Sequence, residues 1–566
     1  MDGRDISILV VLIVYMIGML GLGVFFSRKR MSLNDYLLGG RQLNPWVSAM
    51  STQASDMSGW LLTGIPGLAF LCVNGAKEAI WTALGLLIGT VLNWVLVAKR
   101  LRVYSQVADN SLTIPSYFEN RFKDKKGILR AVSAVIIFFF FTFYTASMFK
   151  ASAQLFSSVF EGLSYHAALC IGAVVILIYT FLGGFLAVSW TDLFQGLLMF
   201  FALIIIPIVM IVNMPEGGMA TVNGVFQKIA DLFGSAENGN GTVGVFGAIG
   251  IISSLAWGLG YFGMPHILVR FMATKDKKTI KSATVIALIW TVISMGCALA
   301  IGILANGFNI TLPDGKHEQI LIVVIDMLFK SPILAGILLS AVLAAIMSTA
   351  DSQLLVASSA VSNDLFKRHI KKDATDKQTM WVSRIAMIVI AAIAVGIAAD
   401  EDSKIFDIVA YAWGGFGAAF GPVMIFSLYS KKITLKGAIA SMITGALVTI
   451  VWKWGLKPLG GFWSLYELLP GFILATIVLW TVSLLDKKGV TREISCDYDK
   501  MLSIVRSKSD NLTLYADDAN SGESAEMAEA LALECDDMTI AIDGENRESI
   551  VDNDGAKEYT DSTDIE

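Results

Sequence analysis

The chain is a succession of long apolar runs, about thirteen in all, and no other feature constrains its fold as strongly. Some 20 apolar residues in an α-helix cross the hydrocarbon core of a bilayer, and backbone in lipid must satisfy its own hydrogen bonds. The runs lie near residues 5–27, 45–72, 77–98, 129–157, 164–185, 190–213, 243–268, 280–305, 332–362, 380–398, 405–429, 437–454 and 462–485. Of the 566 residues 55% are apolar and only 16% are charged, where a soluble chain carries about a quarter. The expected fold class is an all-α membrane protein with about 13 transmembrane helices, multi-pass in the cell (inner or plasma) membrane. The first run is followed by Arg28, Lys29 and Arg30 rather than by a small-residue cleavage site, so it reads as a retained helix.

Charge is unevenly distributed. From Asp510 to Glu566 there are about 18 acidic and 2 basic residues, so the remainder is basic although the whole chain is at −5. Lys and Arg crowd the loops after the first, third, seventh, ninth and eleventh runs, for example Lys99, Arg100, Lys275, Lys371 and Lys431. Loops after even-numbered runs carry few, and the short loop after the fifth has none. Basic loops stay on the cytoplasmic side. The alternation predicts an outside N-terminus and an inside C-terminus, with lipids as partners of the apolar runs. Residues 1–488 are expected as the membrane domain and 489–566 as an acidic, largely disordered cytoplasmic tail. That tail reads as solvated chain or as a docking segment, its protein partners unknown.

Three runs break the apolar rule. The second places Asp56 within a stretch of Ser, Thr and Gly, with Gly59, Gly64, Pro66 and Gly67 weakening the helix. The seventh is interrupted by Gly258, Gly260, Gly263 and Pro265. A discontinuous helix offers carbonyls to a cation and a positive N-terminal end to a carboxylate. If the first run is set aside, these two open successive blocks of five, about 45–213 and 243–429. Five is odd, so the blocks have opposite orientation. Matched breaks in inverted repeats point to a mid-membrane binding site. The ninth run carries adjacent hydroxyls at Ser348 and Thr349, with Ala345 one turn earlier. These oxygens suit a hard cation, and they equally suit contacts between helices.

At these residues the sequence resembles the solute:sodium symporter family, and within it the carriers that couple sodium to proline. The resemblance covers most of the chain through the last run and is most specific in ASDMSGWLLTGIPG (54–67), FLGGFLAVSWTD (181–192), WGLGYFGMPHILVRFM (257–272), LAAIMSTADSQLL (343–355) and AYAWGGFGAAFGP (410–422). It implies a LeuT-type core of two inverted five-helix repeats, with one helix before and two after. It implies a sodium site at Ala54, Met57, Ala345, Ser348 and Thr349, with Asp56 as the carboxylate needed for coupling. It implies a proline site at Ser58, Trp60, Gly64, Tyr144, Trp257, Tyr261 and Pro265. Sodium is then the coupling ion and there is no cofactor. A symporter for pantothenate, a sugar or a compatible solute is the nearest alternative, and a transporter-derived sensor a further one. The sequence shows no nucleophile–base pair, metal cluster or phosphate loop, so an enzyme is not expected, nor is a nucleic-acid partner.

Overall fold

The computed structural model describes residues 3–27, 33–160, 162–182, 184–230, 247–313, 315–487 and 489–507. Among them the regular structure is helical, with one isolated bridge between Leu43 and Thr274. The first helices are α1 (Gly3–Ser27), α2 (Leu33–Leu38), α3 (Pro45–Asp56), α4 (Ile65–Phe70), α5 (Cys72–Leu92), α6 (Lys99–Val107) and α7 (Ile114–Arg121). There follow α8 (Ile128–Val159), α9 (Tyr165–Leu182), α10 (Phe185–Val212), α11 (Gly218–Ala230), α12 (Ala248–Ala256), α13 (Pro265–Ala273) and α14 (Lys277–Ala305). The last are α15 (Ile320–Leu328), α16 (Pro332–Ser359), α17 (Asp376–Ala398), α18 (Ile405–Tyr429), α19 (Leu435–Val451), α20 (Leu468–Leu485) and α21 (Arg492–Arg506).

Ten helices among the described residues are long and apolar enough to cross a membrane, or eleven if the pair bent by 46° at Met264 counts as one span. The expected second and fifth spans are represented by the shorter apolar helices Trp60–Phe70 and Tyr165–Phe181. The second is short because its helix is interrupted. Asn44 caps α3 by accepting the Val47 N–H at 2.9 Å, with Pro45 in the first turn. The helix then stops at Met57 (φ −83°, ψ 77°) and resumes in a wide π-helical turn, Trp60–Gly64. In the seventh span, α12 tightens into a 3-10 segment, Trp257–Gly263, and Met264 is extended, as the residue before a proline prefers. Glycine is required in this segment by proximity. A Cβ on Gly260 would collide with the Trp413 indole, and one on Gly258 with the backbone of Gly85.

The packing repeats itself. α3 lies on α10 as the Trp257–Gly263 segment lies on α18. α8 packs on α18 as α16 packs on α10, and α8 on α9 as α16 on α17. α5 flanks the break of the seventh span as α14 flanks α3 and α4. α8 and α16 cross each other at the centre, α1 lies against α10 and α16, and α19 and α20 pair beside α18. Large apolar side chains such as Ile88, Val95, Val174, Phe201, Ile289 and Ile385 are exposed on the outer faces, as in helices bathed in hydrocarbon.

The segment from 489 onward, expected as tail, begins with a helix packed on the body. α21 lies on α6 and buries Ile494, Tyr498 and Met501. Lys99 and Lys277 donate to the carbonyls of Val505 (2.8 Å) and Ile504 (3.0 Å), where the helix C-terminus attracts cations. Lys123 pairs with Asp497 at 2.5 Å and Lys431 with Asp499 at 3.2 Å. The rest of the expected tail, 508–566, lies outside the described residues.

Candidate functional site

The interruption of α3 sits against the middle of α16. Ser348 donates its hydroxyl to the Ala54 carbonyl at 2.7 Å, with the Ala345 carbonyl 3.3 Å away, and Thr349 Oγ1 lies 3.5 Å from the same Ala54 oxygen. All four residues are fully buried. Met57 closes α3, returning its N–H to Gln53 at 2.8 Å while its ψ of 77° turns its own carbonyl out of the helical direction. Four of the five oxygens expected as a sodium set are thus gathered at one place, and the fifth lies on the turn beside them. Neutral hydroxyl and carbonyl oxygens are the ligands a hard cation prefers.

Asp56 joins this group to the aromatic one. Its Oδ2 accepts the Tyr261 hydroxyl at 2.7 Å, and its main-chain carbonyl accepts the Trp60 indole N–H at 2.9 Å. Tyr261 meets Trp413 edge-on at 5.0 Å. Trp257 stacks on Tyr466 at 5.2 Å and leans on Phe406 at 4.8 Å, while its carbonyl accepts the Trp413 N–H at 2.8 Å. Gly64 lies under Phe406, whose ring carbon would be 3.3 Å from a Cβ there. Tyr144 of α8 meets the His266 ring edge-on at 6.1 Å. Asp56 Oδ1, Ser58 Oγ and Tyr144 OH are buried with no hydrogen bond of ordinary length. The structure therefore links Trp60, Gly64, Trp257 and Tyr261 through shared neighbours. Pro265 lies beyond the break and lines a different cavity, with Thr113 and Asp364. Trp257 and Tyr261, four apart, do not share one α-helical face, because the segment between them is 3-10; Trp413 lies against both rings.

Sequence reasoning gave no role to the charges behind the break. Arg270 of α13 pairs with Asp192 of α10 at 2.9 Å and donates to Ser51 (2.7 Å) and Ser352 (2.6 Å). Ser51 also donates to Asp192 at 2.6 Å, and the His266 carbonyl takes a further Arg270 N–H. Ser352 lies 3.2 Å from Asp351. Asp192 inside the sixth run was the available signal, since intramembrane charges pair or serve function; Arg270, just past the seventh run, reads in sequence as one of the basic loop residues and is instead buried in α13.

A cavity of about 270 Å³ is lined by Glu78, Lys457, Trp257, Phe406 and Tyr466. Beside it, Glu318 from the short turn His317–Gln319 offers both carboxylate oxygens to the N–H groups of Ile405 (3.0 Å) and Phe406 (2.9 Å). It thereby caps α18, where the helix dipole favours an anion. Burial pushes this carboxyl above the ordinary glutamate range, and the two N–H groups offset only part of that effect.

The chain is 45% identical over 486 residues to the sodium/proline symporter of Escherichia coli strain K12, covering 85% of this chain and 93% of that one. It is 43% identical over 493 residues to the osmoregulated proline transporter OpuE of Bacillus subtilis strain 168, covering 86% and 96%. Among solved structures, a substrate-bound, outward-open Na+-coupled sialic acid symporter superposes with a TM-score of 0.69 at 20% identity, covering 85% of this chain and 98% of that chain; it shares the fold. The profile of the sodium:solute symporter family matches residues 36–445, and the chain belongs to that family.

Proposed function

We propose that the protein imports L-proline together with sodium by alternating access across the plasma membrane. The observation that carries this reading is the Asp56–Tyr261 hydrogen bond of 2.7 Å, which ties the oxygen cluster at the break of α3 to the aromatic cluster at the break of the seventh span. Ala54, Met57, Ala345, Ser348 and Thr349 are assigned as sodium ligands, with Asp56 as the balancing charge. Ser58, Trp60, Gly64, Tyr144, Trp257, Tyr261 and Pro265 are assigned to proline. An imino acid zwitterion has a compact apolar ring for the aromatic walls and two polar ends for buried atoms that lack partners. The names of the relatives from Escherichia coli and Bacillus subtilis support the same solute.

The architecture that goes with this reading is a LeuT-type pair of inverted repeats, about 45–213 and 243–429, within about thirteen spans. The recurrence of packing partners five spans apart supports it, since an inverted repeat maps each contact onto its counterpart. The basic loops support an outside N-terminus and an inside C-terminus. Residues 489–566 are assigned to the cytoplasmic side. Lipids contact the exposed apolar faces.

The test is uptake of radiolabelled L-proline into proteoliposomes. An inward sodium gradient is expected to drive accumulation that excess proline abolishes and that pantothenate, sugars and compatible solutes leave intact. Accumulation indifferent to sodium, or blocked better by another solute, would overturn the assignment. In the same assay Trp257→Ala and Tyr261→Ala are expected to raise the half-maximal proline concentration about tenfold or more, as loss of a buried aromatic anchor does. Unchanged kinetics alongside reduced expression would make both of them packing residues only.

A further inference from the structure

Pro265 lines a small cavity of about 30 Å³ whose walls include Ile137 of α8 and Leu355 of α16. Thr113, Ser359 and Asp364 line it as well. Thr113 and Asp364 belong to a chain of ions. Asp364 Oδ1 accepts from Arg130 Nε (2.7 Å), Thr113 Oγ1 (2.9 Å) and Asn363 Nδ2 (3.1 Å). Arg130 Nη1 reaches Glu119 Oε2 at 2.7 Å, and Glu119 Oε1 accepts from Arg368 Nε at 2.6 Å. The side chains of Asp364 and Glu119 are only 1% and 8% exposed.

We propose that the chain Thr113–Asp364–Arg130–Glu119–Arg368 is the inner gate of the transport path, and that the chamber lined by Thr113, Asp364 and Pro265, small while the chain is closed, widens into the exit for solute when it breaks. The inference deepens the transport reading above and rests on it.

Three observations carry it. First, two members of the chain, Thr113 and Asp364, line a cavity that an assigned proline residue, Pro265, also lines. Second, it fastens α7 and the start of α8, within the first repeat, to the end of the ninth span, within the second. Elements that must separate in alternating access are thereby held by contacts that can be made and broken as a set. Third, the polar atoms at the chamber end are not fully satisfied: Asp364 Oδ2 and Ser359 Oγ are buried without partners. A static staple would be expected to satisfy them, whereas an opening gate lets water or solute do so. The α16 helix runs into a π-helical stretch, Ala360–Ile370, just where Asp364 and Arg368 project, a widened register typical of functional joints. Desolvated ion pairs contribute little net stability, so a role in switching accounts for them better than a role in holding the fold.

The experiment places a single cysteine at Ser359, with the native cysteines replaced by serine, and follows its modification by a membrane-impermeant maleimide in inside-out and right-side-out vesicles. Sodium plus proline are expected to slow modification, which occurs from the inner face. The gate is then neutralised as a pair, Arg130→Gln with Asp364→Asn, so that no lone buried charge is left to unfold the protein. Modification in the presence of both ligands is expected to rise about tenfold over the parent, with Thr113→Val, which removes one donor to Asp364 together with the N-cap of α7, in between. Parental rates in the inserted double variant, or reaction from the outer face, would overturn the gate. Should the parent itself take up no proline with sodium, the transport reading falls, and the gate with it. Uptake by the parent with unaltered labelling in the double variant removes the gate alone.

Discussion

Thr349→Ala is expected to raise the sodium concentration for half-maximal proline uptake about tenfold or more, while Thr349→Ser leaves it within about twofold. The hydroxyl lies 3.5 Å from the Ala54 carbonyl, and Ser348 lies 2.7 Å from the same atom. These distances are those of oxygens already arranged around a common point. Sodium requires several oxygens at once, and the proposed shell of two hydroxyls and three carbonyls offers about five. Carbonyls are fixed by the backbone, so mutation reaches the shell only through Ser348 and Thr349. Alanine at 349 removes one hydroxyl from the proposed shell. Serine keeps the oxygen and removes a methyl group, which alters packing but not coordination. The comparison therefore separates ligation from packing. Sodium titrations of uptake, corrected for the amount of protein in the membrane, read it directly. Equal behaviour of the two variants at every sodium concentration would place the ion elsewhere.

What the sequence disclosed follows from the range over which its signals act. The breaks in the second and seventh spans were legible because Asp56, Gly258, Gly260 and Pro265 violate local rules for apolar helices, and the backbone interrupts at both places. The adjacent hydroxyls of Ser348 and Thr349 were visible, but their choice over other buried hydroxyls came from family resemblance. Hydroxyls satisfied within their own helix, such as Thr90 to Leu86 at 2.9 Å, look the same in sequence. The Arg270–Asp192 pair was not legible, since the partners are 78 residues apart and only the fold brings them together. α21 was obscured by composition. Ile494, Tyr498 and Met501 form a helical stripe that the acidic tail after it conceals in any average. The count of long spans differs from the number of apolar runs for a physical reason as well. The second and seventh helices, interrupted to expose their backbone, no longer have the uninterrupted length by which spans are recognised, and the fifth, Tyr165–Phe181, is unbroken but short.

Asp56→Asn is expected to lower sodium-driven uptake about 100-fold or more, a larger loss than Asp56→Glu causes, with comparable insertion of both. The proposed ion shell consists of neutral oxygens, so the charge of sodium within the membrane must be answered from nearby. Asp192 is already answered by Arg270 at 2.9 Å. Asp56 lies at the break itself, two residues after Ala54, buried, with Oδ2 bonded to Tyr261 and Oδ1 without a partner. An ionised carboxylate in such a place is costly alone, and so is a bare cation; each stabilises the other. Asparagine preserves the size of the side chain and an oxygen for the Tyr261 hydroxyl, but it removes the charge. Glutamate preserves the charge and displaces it by one methylene. If charge balance is the role of Asp56, the amide is the worse substitute, and its defect appears as a demand for far more sodium. Tyr261→Phe provides the internal comparison. It keeps the ring against Trp413 and removes the 2.7 Å bond, so a carboxylate that serves sodium should keep most of its effect without that hydroxyl. Sodium dependence of uptake across the three variants decides the matter. Glutamate proving as damaging as asparagine, with sodium affinity unchanged in the asparagine variant, would show that Asp56 shapes the break of α3 and carries no charge for the ion.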